Sequence, residues 1–457
     1  MLLPKRSLGP GLARLSTLLG AAAAACVLAA CGGHAAALPT ALTGPADSIA
    51  QSLVRGPDTA GPQGKIKHVV IIIQENRSFD SIFHGFKGAN YANYGLDSEG
   101  KEVKLVPTSF ATPGPDICHL YKDAIEDVDG GKMDKFDHCP VKLVPYAYVK
   151  SSETSLYFDM AKQYVLADDF FSSQLDASYV GHQYLIAAQA GMAINIPTAE
   201  PWGCDANAPT RIQLVNSEGQ NTKTVFPCFT YETLATQLDT KKKPWKYYAP
   251  GCVSPPSSCS FGYIWSAYDA SKAIRNGPDW STDVVSPQCQ VLTDVAAGNL
   301  PDVTWVVPDL ADSDHLGSGS TTGPQWVASV VNAIGKNTTL WNSTAIFVTW
   351  DDWGGYYDHV PPPVVDYDGL GVRVGLIAIG PYAKQGYISH SQYEFASILR
   401  SIEGWLGLST MTNRDKNAAS VWGDMFDFTQ KPRAFTPFNT GSYSCQPSAS
   451  LSAPDTE

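Results

Sequence analysis

The sequence predicts an α/β fold: a mostly parallel central sheet flanked by helices and carrying disulfide-rich loop insertions. Three observations point that way. Short β-branched runs recur without polar alternation, as in strands buried on both faces. Segments with apolar residues at helical spacing lie between them, the alternation expected of βα units. Most of the ten cysteines fall in the loop-rich stretches that separate these elements.

The first strand is His68-Val69-Val70-Ile71-Ile72-Ile73. Trp245 to Ala249 forms another and stops at Pro250. Asp302 to Val307 stops at Pro308, Ser343 to Trp350 at Asp351, and Val372 to Ile379 at Gly380-Pro381. Thr322 to Ala333 carries Trp326, Val327, Val330 and Val331 on one side, and Glu394 to Leu406 carries Phe395, Ile398, Leu399 and Ile402 at helical spacing. The stretches from about Lys87 to Cys139 and from Ala190 to Cys289 read as insertions or caps on the sheet. The domain is expected over 65–441, with a disordered tail over 442–457.

The N-terminus sets the compartment. Lys5, Arg6 and Arg14 precede an apolar stretch from Leu15 to Ala30, the layout of a secretory signal. It ends Leu28-Ala29-Ala30-Cys31, which resembles a bacterial lipobox, so residues 1–31 are expected to be a lipoprotein signal with Cys31 as the lipid-anchored first residue. Residues 32–64, rich in Gly, Ala, Pro and Ser, read as a flexible tether. The expected location is outside the cytoplasm, anchored at the cell envelope or secreted. With Cys26 in the leader and Cys31 at the anchor, eight cysteines remain. That even number suits disulfides in an oxidising compartment. Pairing by proximity joins Cys118 with Cys139, Cys204 with Cys228, Cys252 with Cys259, and Cys289 with Cys445. No CxxC pair is present, which argues against a zinc ribbon or a thioredoxin-type site.

Composition narrows the function. Charged residues make up 17% of the 457 positions, with 44 acids against 32 bases and a net charge of −12. No basic run exceeds Lys241-Lys242-Lys243, so a nucleic-acid partner is not expected.

In open α/β sheets, ligands bind beyond the carboxyl ends of the strands. Gln74-Glu75-Asn76-Arg77-Ser78-Phe79-Asp80 follows the first strand, Asp314-His315 lies beyond the strand ending at Val307, and Asp351-Asp352 follows Trp350. Parallel strands would bring these segments to one edge. Glu75, Asn76, Asp351 and Asp352 are hard oxygen donors, and carboxylates packed together need a cation. One divalent ion of the Mg, Ca or Mn type is therefore expected. Taken singly, each residue has a plainer role: Asp351 and Asp352 as caps of the following segment, Glu75 as a partner of Arg77.

These residues resemble the bacterial phosphoesterase family, which holds phospholipases C and acid phosphatases. Gln74 to Asp80 resembles its opening motif. Trp350-Asp351-Asp352-Trp353-Gly354-Gly355, followed by Asp358-His359-Val360-Pro361-Pro362-Pro363, resembles its second signature. Ser313-Asp314-His315, Gly380-Pro381-Tyr382-Ala383-Lys384 and Gly131-Lys132-Met133-Asp134-Lys135-Phe136 match further blocks. The resemblance implies an alkaline-phosphatase-like fold and phosphoryl transfer through a hydroxyl beside a metal. By motif, Glu75, Asn76, Asp351 and Asp352 fall on metal-ligand positions. The nucleophile segment corresponds to Asp176-Ala177-Ser178-Tyr179-Val180-Gly181-His182, which makes Ser178 the nucleophile and a further metal contact, as in the acid phosphatase branch. His119 and His315 fall where phosphate-contacting catalytic histidines are expected, with Asn76, His182 and His359 as further substrate contacts.

The pattern departs from the family at two points. The Gly-Pro-Thr sequence of the phospholipase branch is absent, so Ser178 rests on its spacing from Asp168-Asp169-Phe170-Phe171 and on the following Tyr184-Leu185. A mid-chain histidine has no counterpart, since none lies between His182 and His315. The expected activity is metal-dependent hydrolysis of phosphate esters or phospholipids through a phosphoserine. The alternative is a catalytically weak surface lipoprotein that binds phosphorylated ligands.

Overall fold

A computed structural model of the chain describes Pro62 and residues 64–141, 144–251 and 263–445. The expected leader and lipobox, and all of the tether except Pro62 and Gly64, lie outside these residues, as do Cys252 and Cys259.

The nine strands of the main sheet are β1 (His68–Gln74), β2 (Val165–Phe171), β3 (Trp245–Tyr248), β4 (Val284–Val285), β5 (Val303–Val306), β6 (Thr344–Trp350), β7 (Arg373–Ile379), β8 (Tyr387–Ser389) and β9 (Tyr393–Glu394). Their spatial order is β4-β3-β5-β1-β6-β7-β2-β8, and β9 also pairs with β2. All run parallel except β7, which is antiparallel to both β6 and β2. Every residue of β6 and β7 is buried, as are all of β1 but His68, which suits β-branched runs covered on both faces.

The helices that matter for the site are α1 (Phe79–Phe83), α2 (Tyr121–Val128), α3 (Ser155–Gln163), α4 (Ser178–Ala187), α5 (Gly323–Lys336) and α6 (Phe395–Leu406). α5 carries Pro324 in its first turn and buries Trp326, Val327, Val330, Val331 and Ile334 in the main core. α6 ends on Gly407 at φ 66°, a left-handed cap that costs glycine nothing. α4 is buried on every side and so lies inside the fold.

Proximity pairing holds for three disulfides: Cys118–Cys139, Cys204–Cys228 and Cys289–Cys445. Residues 442–445, expected to begin the disordered tail, are instead tied down. Tyr443 Oη donates to Asp312 Oδ2 at 2.6 Å, and Cys445 is disulfide-bonded. The insertion between β1 and β2 has small cores of its own. Leu105, Val128, Phe136, Tyr146, Trp353 and Tyr357 form one, and Ile117, Cys139, Leu316 and Tyr356 another. These cores clamp the insertion onto the segment that follows β6. No helix among the described residues is long and apolar enough to cross a membrane.

Candidate active site

The site is assembled where β1, β6 and β2 end. Beyond the strands the backbones of the first two stay paired: Asp351 N donates to Gln74 O at 3.0 Å, and Arg77 N donates to Asp352 O at 3.0 Å. Asn76 sits at φ 57°, a conformation that asparagine tolerates. Its N–H donates to Asp351 Oδ1 at 3.0 Å.

Ser178 arrives from β2 as the first residue of α4, at the helix end whose free N–H groups favour anions. Its hydroxyl has two acceptors in reach, Asn76 Oδ1 at 3.1 Å and Asp352 Oδ2 at 3.2 Å. Asp352 Oδ1 accepts Gly354 N at 2.6 Å. The structure thus brings Ser178, Asn76 and Asp352 into direct contact, although they come from three distant stretches of sequence.

Glu75 and Asp351 lie alongside. His182 Nε2 donates to Glu75 Oε1 at 2.7 Å and stands 3.7 Å from Asp351 Oδ2. Glu75, His182 and Asp351 each offer a ligand atom, all within 4.8 Å of one another. Burial, reinforced by Asp351 and Asp352, raises the Glu75 pKa well above the carboxylate range. Burial and Asp351 likewise raise Asp352. Burial pushes His182 down to about 4, so its imidazole is neutral and offsets none of this charge. Among the described residues no lysine or arginine pairs with Glu75, Asp351 or Asp352. Glu75 Oε2 and Asp351 Oδ2 are buried and without hydrogen-bond partners. Buried carboxylate oxygens left in this state are costly unless a cation meets them. The donor set fits a hard divalent ion.

His119 closes one side. Its Nδ1 donates to Ile117 O at 2.6 Å, and Asn76 Nδ2 lies 3.2 Å from its Nε2. Burial lowers its pKa, but Asp116 and Asp352 outweigh that and raise it to about 9.

His315 lies nearby, with Nδ1 donating to Leu316 O at 2.6 Å. Asp116 Oδ2 is 3.8 Å from both His315 Nε2 and His119 Nδ1, so one carboxylate serves both histidines. Burial lowers the His315 pKa against the pull of Asp116.

One predicted substrate contact, His359, sits elsewhere. His359 Nδ1 bonds Asp80 Oδ2 at 2.7 Å and its Nε2 meets Asn90 Oδ1 at 3.0 Å. It belongs to a buried cluster in which Arg373, at the start of β7, pairs with Asp80 and Asp358. Asp314 is at the expected edge but turns inward, its Oδ2 accepting Tyr157 Oη at 2.6 Å and Trp350 Nε1 at 3.1 Å. Arg77 does not pair with Glu75. Its Nε donates to Asp314 O at 2.9 Å and its guanidinium stacks on Tyr356 at 4.3 Å.

The model of the phosphoesterase family matches residues 66–409, which span every one of these elements. The chain belongs to the phosphoesterase family. It is 24% identical to a non-hemolytic phospholipase C of Pseudomonas aeruginosa, over 75% of this chain and 54% of that protein. It is also 24% identical to phospholipase C B of Mycobacterium tuberculosis, over 81% of this chain and 80% of that protein. The chain therefore spans about half the length of the Pseudomonas relative. Among solved structures, a protein in the alkaline phosphatase superfamily from Vibrio parahaemolyticus is similar with a TM-score of 0.33 and 10% identity, covering 79% of this chain and 74% of that one.

Two parts of the candidate site carry little signal in the sequence. Asp116 lies three residues before His119, in a loop with no periodic signal. Val165–Phe171 carries no clean strand signal, because Asp168 and Asp169 interrupt its apolar run. The Val-Leu-Ala before them and the Phe-Phe after them were the signal available.

Proposed function

We propose that the chain hydrolyses phosphate esters, of the acid phosphatase or phospholipase C type, through Ser178. The observation that carries this reading is the Ser178 hydroxyl within hydrogen-bond reach of both Asn76 and Asp352, in a buried carboxylate set with no lysine or arginine partner among the described residues. Glu75, Asn76, Asp351 and Asp352, with Ser178, would hold one divalent cation. When bound, such an ion polarises a phosphoryl oxygen and lowers the pKa of an adjacent hydroxyl.

The chain's own residues do the rest. Asp352 Oδ2, 3.2 Å from Ser178 Oγ, takes its proton. Oγ attacks phosphorus in line, the bond to the leaving oxygen breaks, and a phosphoserine results. His119, protonated below about pH 9, returns a proton to the leaving oxygen. His119 and the N-terminus of α4 balance charge on the equatorial oxygens, and His315, its Nδ1–H held by Leu316 O, lines the site beside Asp116. In the second half His119, now neutral, takes a proton from the water that attacks phosphorus, the P–Oγ bond breaks, and Asp352 returns its proton to Oγ, so that phosphate leaves and both groups are reset. The disulfides support a location outside the cytoplasm, and we read Cys31 as its lipid anchor.

The purified protein should hydrolyse p-nitrophenyl phosphate or p-nitrophenylphosphorylcholine, and a chelator should stop it. Ser178→Ala should lower turnover by about 10³-fold or more while leaving the fold intact. Retained activity in that variant removes Ser178 from the reaction. No turnover of either substrate across metals and pH would favour a binding lipoprotein. The ratio of the two rates separates monoester from diester chemistry.

A further inference from the structure

His119 stands two residues before Tyr121, and the helix that begins there is capped from a distant segment. The N-cap position of α2 is Leu120, whose side chain has no acceptor to offer. The first amides of a helix have no partner within it. Tyr121 N instead donates to Asn195 Oδ1 at 3.1 Å. Asn195 follows the short strand Ala193–Ile194 and sits at φ 66°, where asparagine is among the few residues at ease.

Asn195 is itself anchored beside the nucleophile. Its N–H donates to Asp176 Oδ1 and Oδ2 at 3.0 and 2.8 Å. Asp176 is fully buried, lies two residues before Ser178, and accepts Ala177 N at 2.8 Å through the same Oδ1. The far side of the loop closes through the site, where Asn76 touches both Ser178 and His119. Ser178, Asn76, His119, Tyr121, Asn195 and Asp176 thus form a closed circuit of hydrogen bonds and short chain links.

We infer that Asn195 is a positioning residue for the reaction: its side-chain oxygen, seated on Asp176, caps α2 and fixes His119 over Asn76 and Ser178. The inference rests on the roles given above to Ser178 and His119. Asn195 touches no reacting atom and acts only through the loop.

The test is a double-mutant cycle with p-nitrophenyl phosphate as substrate. Asn195→Gly removes the acceptor and keeps the backbone conformation, whereas Asn195→Asp keeps an acceptor. Each is measured alone and in a His119→Gln background, with melting temperature as the check on folding. Asn195→Gly should lower kcat/KM about tenfold or more, because small misplacements of a catalytic group are costly. Asn195→Asp should retain most of the rate, and in His119→Gln the glycine substitution should cause no further loss. Wild-type rates in Asn195→Gly overturn the inference. So does a loss that persists in full without His119, because Asn195 would then act on the fold at large. Full activity of His119→Gln alone is a separate failure: it overturns the role given to His119. Should Asn195→Gly not fold, the same cycle is run with Tyr121→Pro, which removes the N–H donor at a first helical position where proline is tolerated.

Discussion

Gly181 of α4 packs against the carbonyl of Asp351: a Cβ placed on Gly181 would lie 2.7 Å from that oxygen and 2.9 Å from Gln174 Nε2. The absence of a side chain there lets the helix that presents Ser178 approach the strand end that presents Asp351 and Asp352. Gly181→Ala should therefore push the two apart. Overpacking of this kind costs about 1–3 kcal/mol. A displacement near 1 Å lowers the rate about 100-fold. Turnover should fall far more than melting temperature, and a variant with wild-type rates would contradict this account of the packing.

The buried carboxylates predict a particular response to metal. Glu75 is raised in the fold by burial, Asp351 and Asp352, so the folded chain binds that proton more tightly than the unfolded one. Metal-free stability should fall as pH rises from the unfolded value of about 4.5. Glu75→Gln should flatten that fall. Magnesium, calcium or manganese should raise the melting temperature of the native chain, by about 2.7 kcal/mol of stability at a hundredfold excess over Kd. Thermal melts with and without metal should show no such gain in Glu75→Gln.

His138 predicts a pH effect away from the site. Its ring bonds Asp123 Oδ1 at 3.3 Å and pairs with Asp127 Oδ1 at 3.1 Å, and these carboxylates raise its pKa to about 10 against the effect of burial. A histidine raised in the fold stabilises fully below its unfolded pKa and loses that contribution as pH rises through the folded one. The melting-temperature difference between the native chain and His138→Gln should be largest below about pH 6.5 and shrink towards pH 10. A difference that grows with pH would reverse the assignment.

The Cys118–Cys139 disulfide holds the loop beside His119, and Cys118 O lies so close to Gly355 that a Cβ there would meet it at 2.8 Å. A closed loop of this size contributes about 3 kcal/mol. Cys118→Ser with Cys139→Ser should lower both stability and turnover. Cys204→Ser with Cys228→Ser should lower mainly stability. Equal effects on turnover would separate the disulfide from His119.

What could be read from the sequence was set by how each residue signals. The runs in β1, β5 and β6 announce buried parallel strands, and the polar residues after them could be assigned to one edge before any contact was known. The reversal of β7 was not legible, because a buried run such as Val372 to Ile379 has the same composition in either direction. Facing was equally hidden. Asp314 and Asp352 both follow strands, yet one turns to Tyr157 and Trp350 and the other to Ser178. Asp116 and Asn195 lie in loops, where no repeat marks a residue for its partner across the chain. His359 carries the family's second signature, but its ring is held by Asp80 and Asn90 rather than by the serine and carboxylate set.

The bond between Cys289 and Cys445 has a consequence for how the chain behaves once damaged. It joins positions 156 residues apart, and the enclosed span supplies β5, β6 and β7, including both aspartates that follow β6. A protease that cuts once inside that span releases no fragment, because the two pieces stay covalently joined until a reductant is added. Nicked molecules therefore run with intact ones on a non-reducing gel. A single clip in this half of the molecule would leave the severed strands tethered close enough to remain in the sheet.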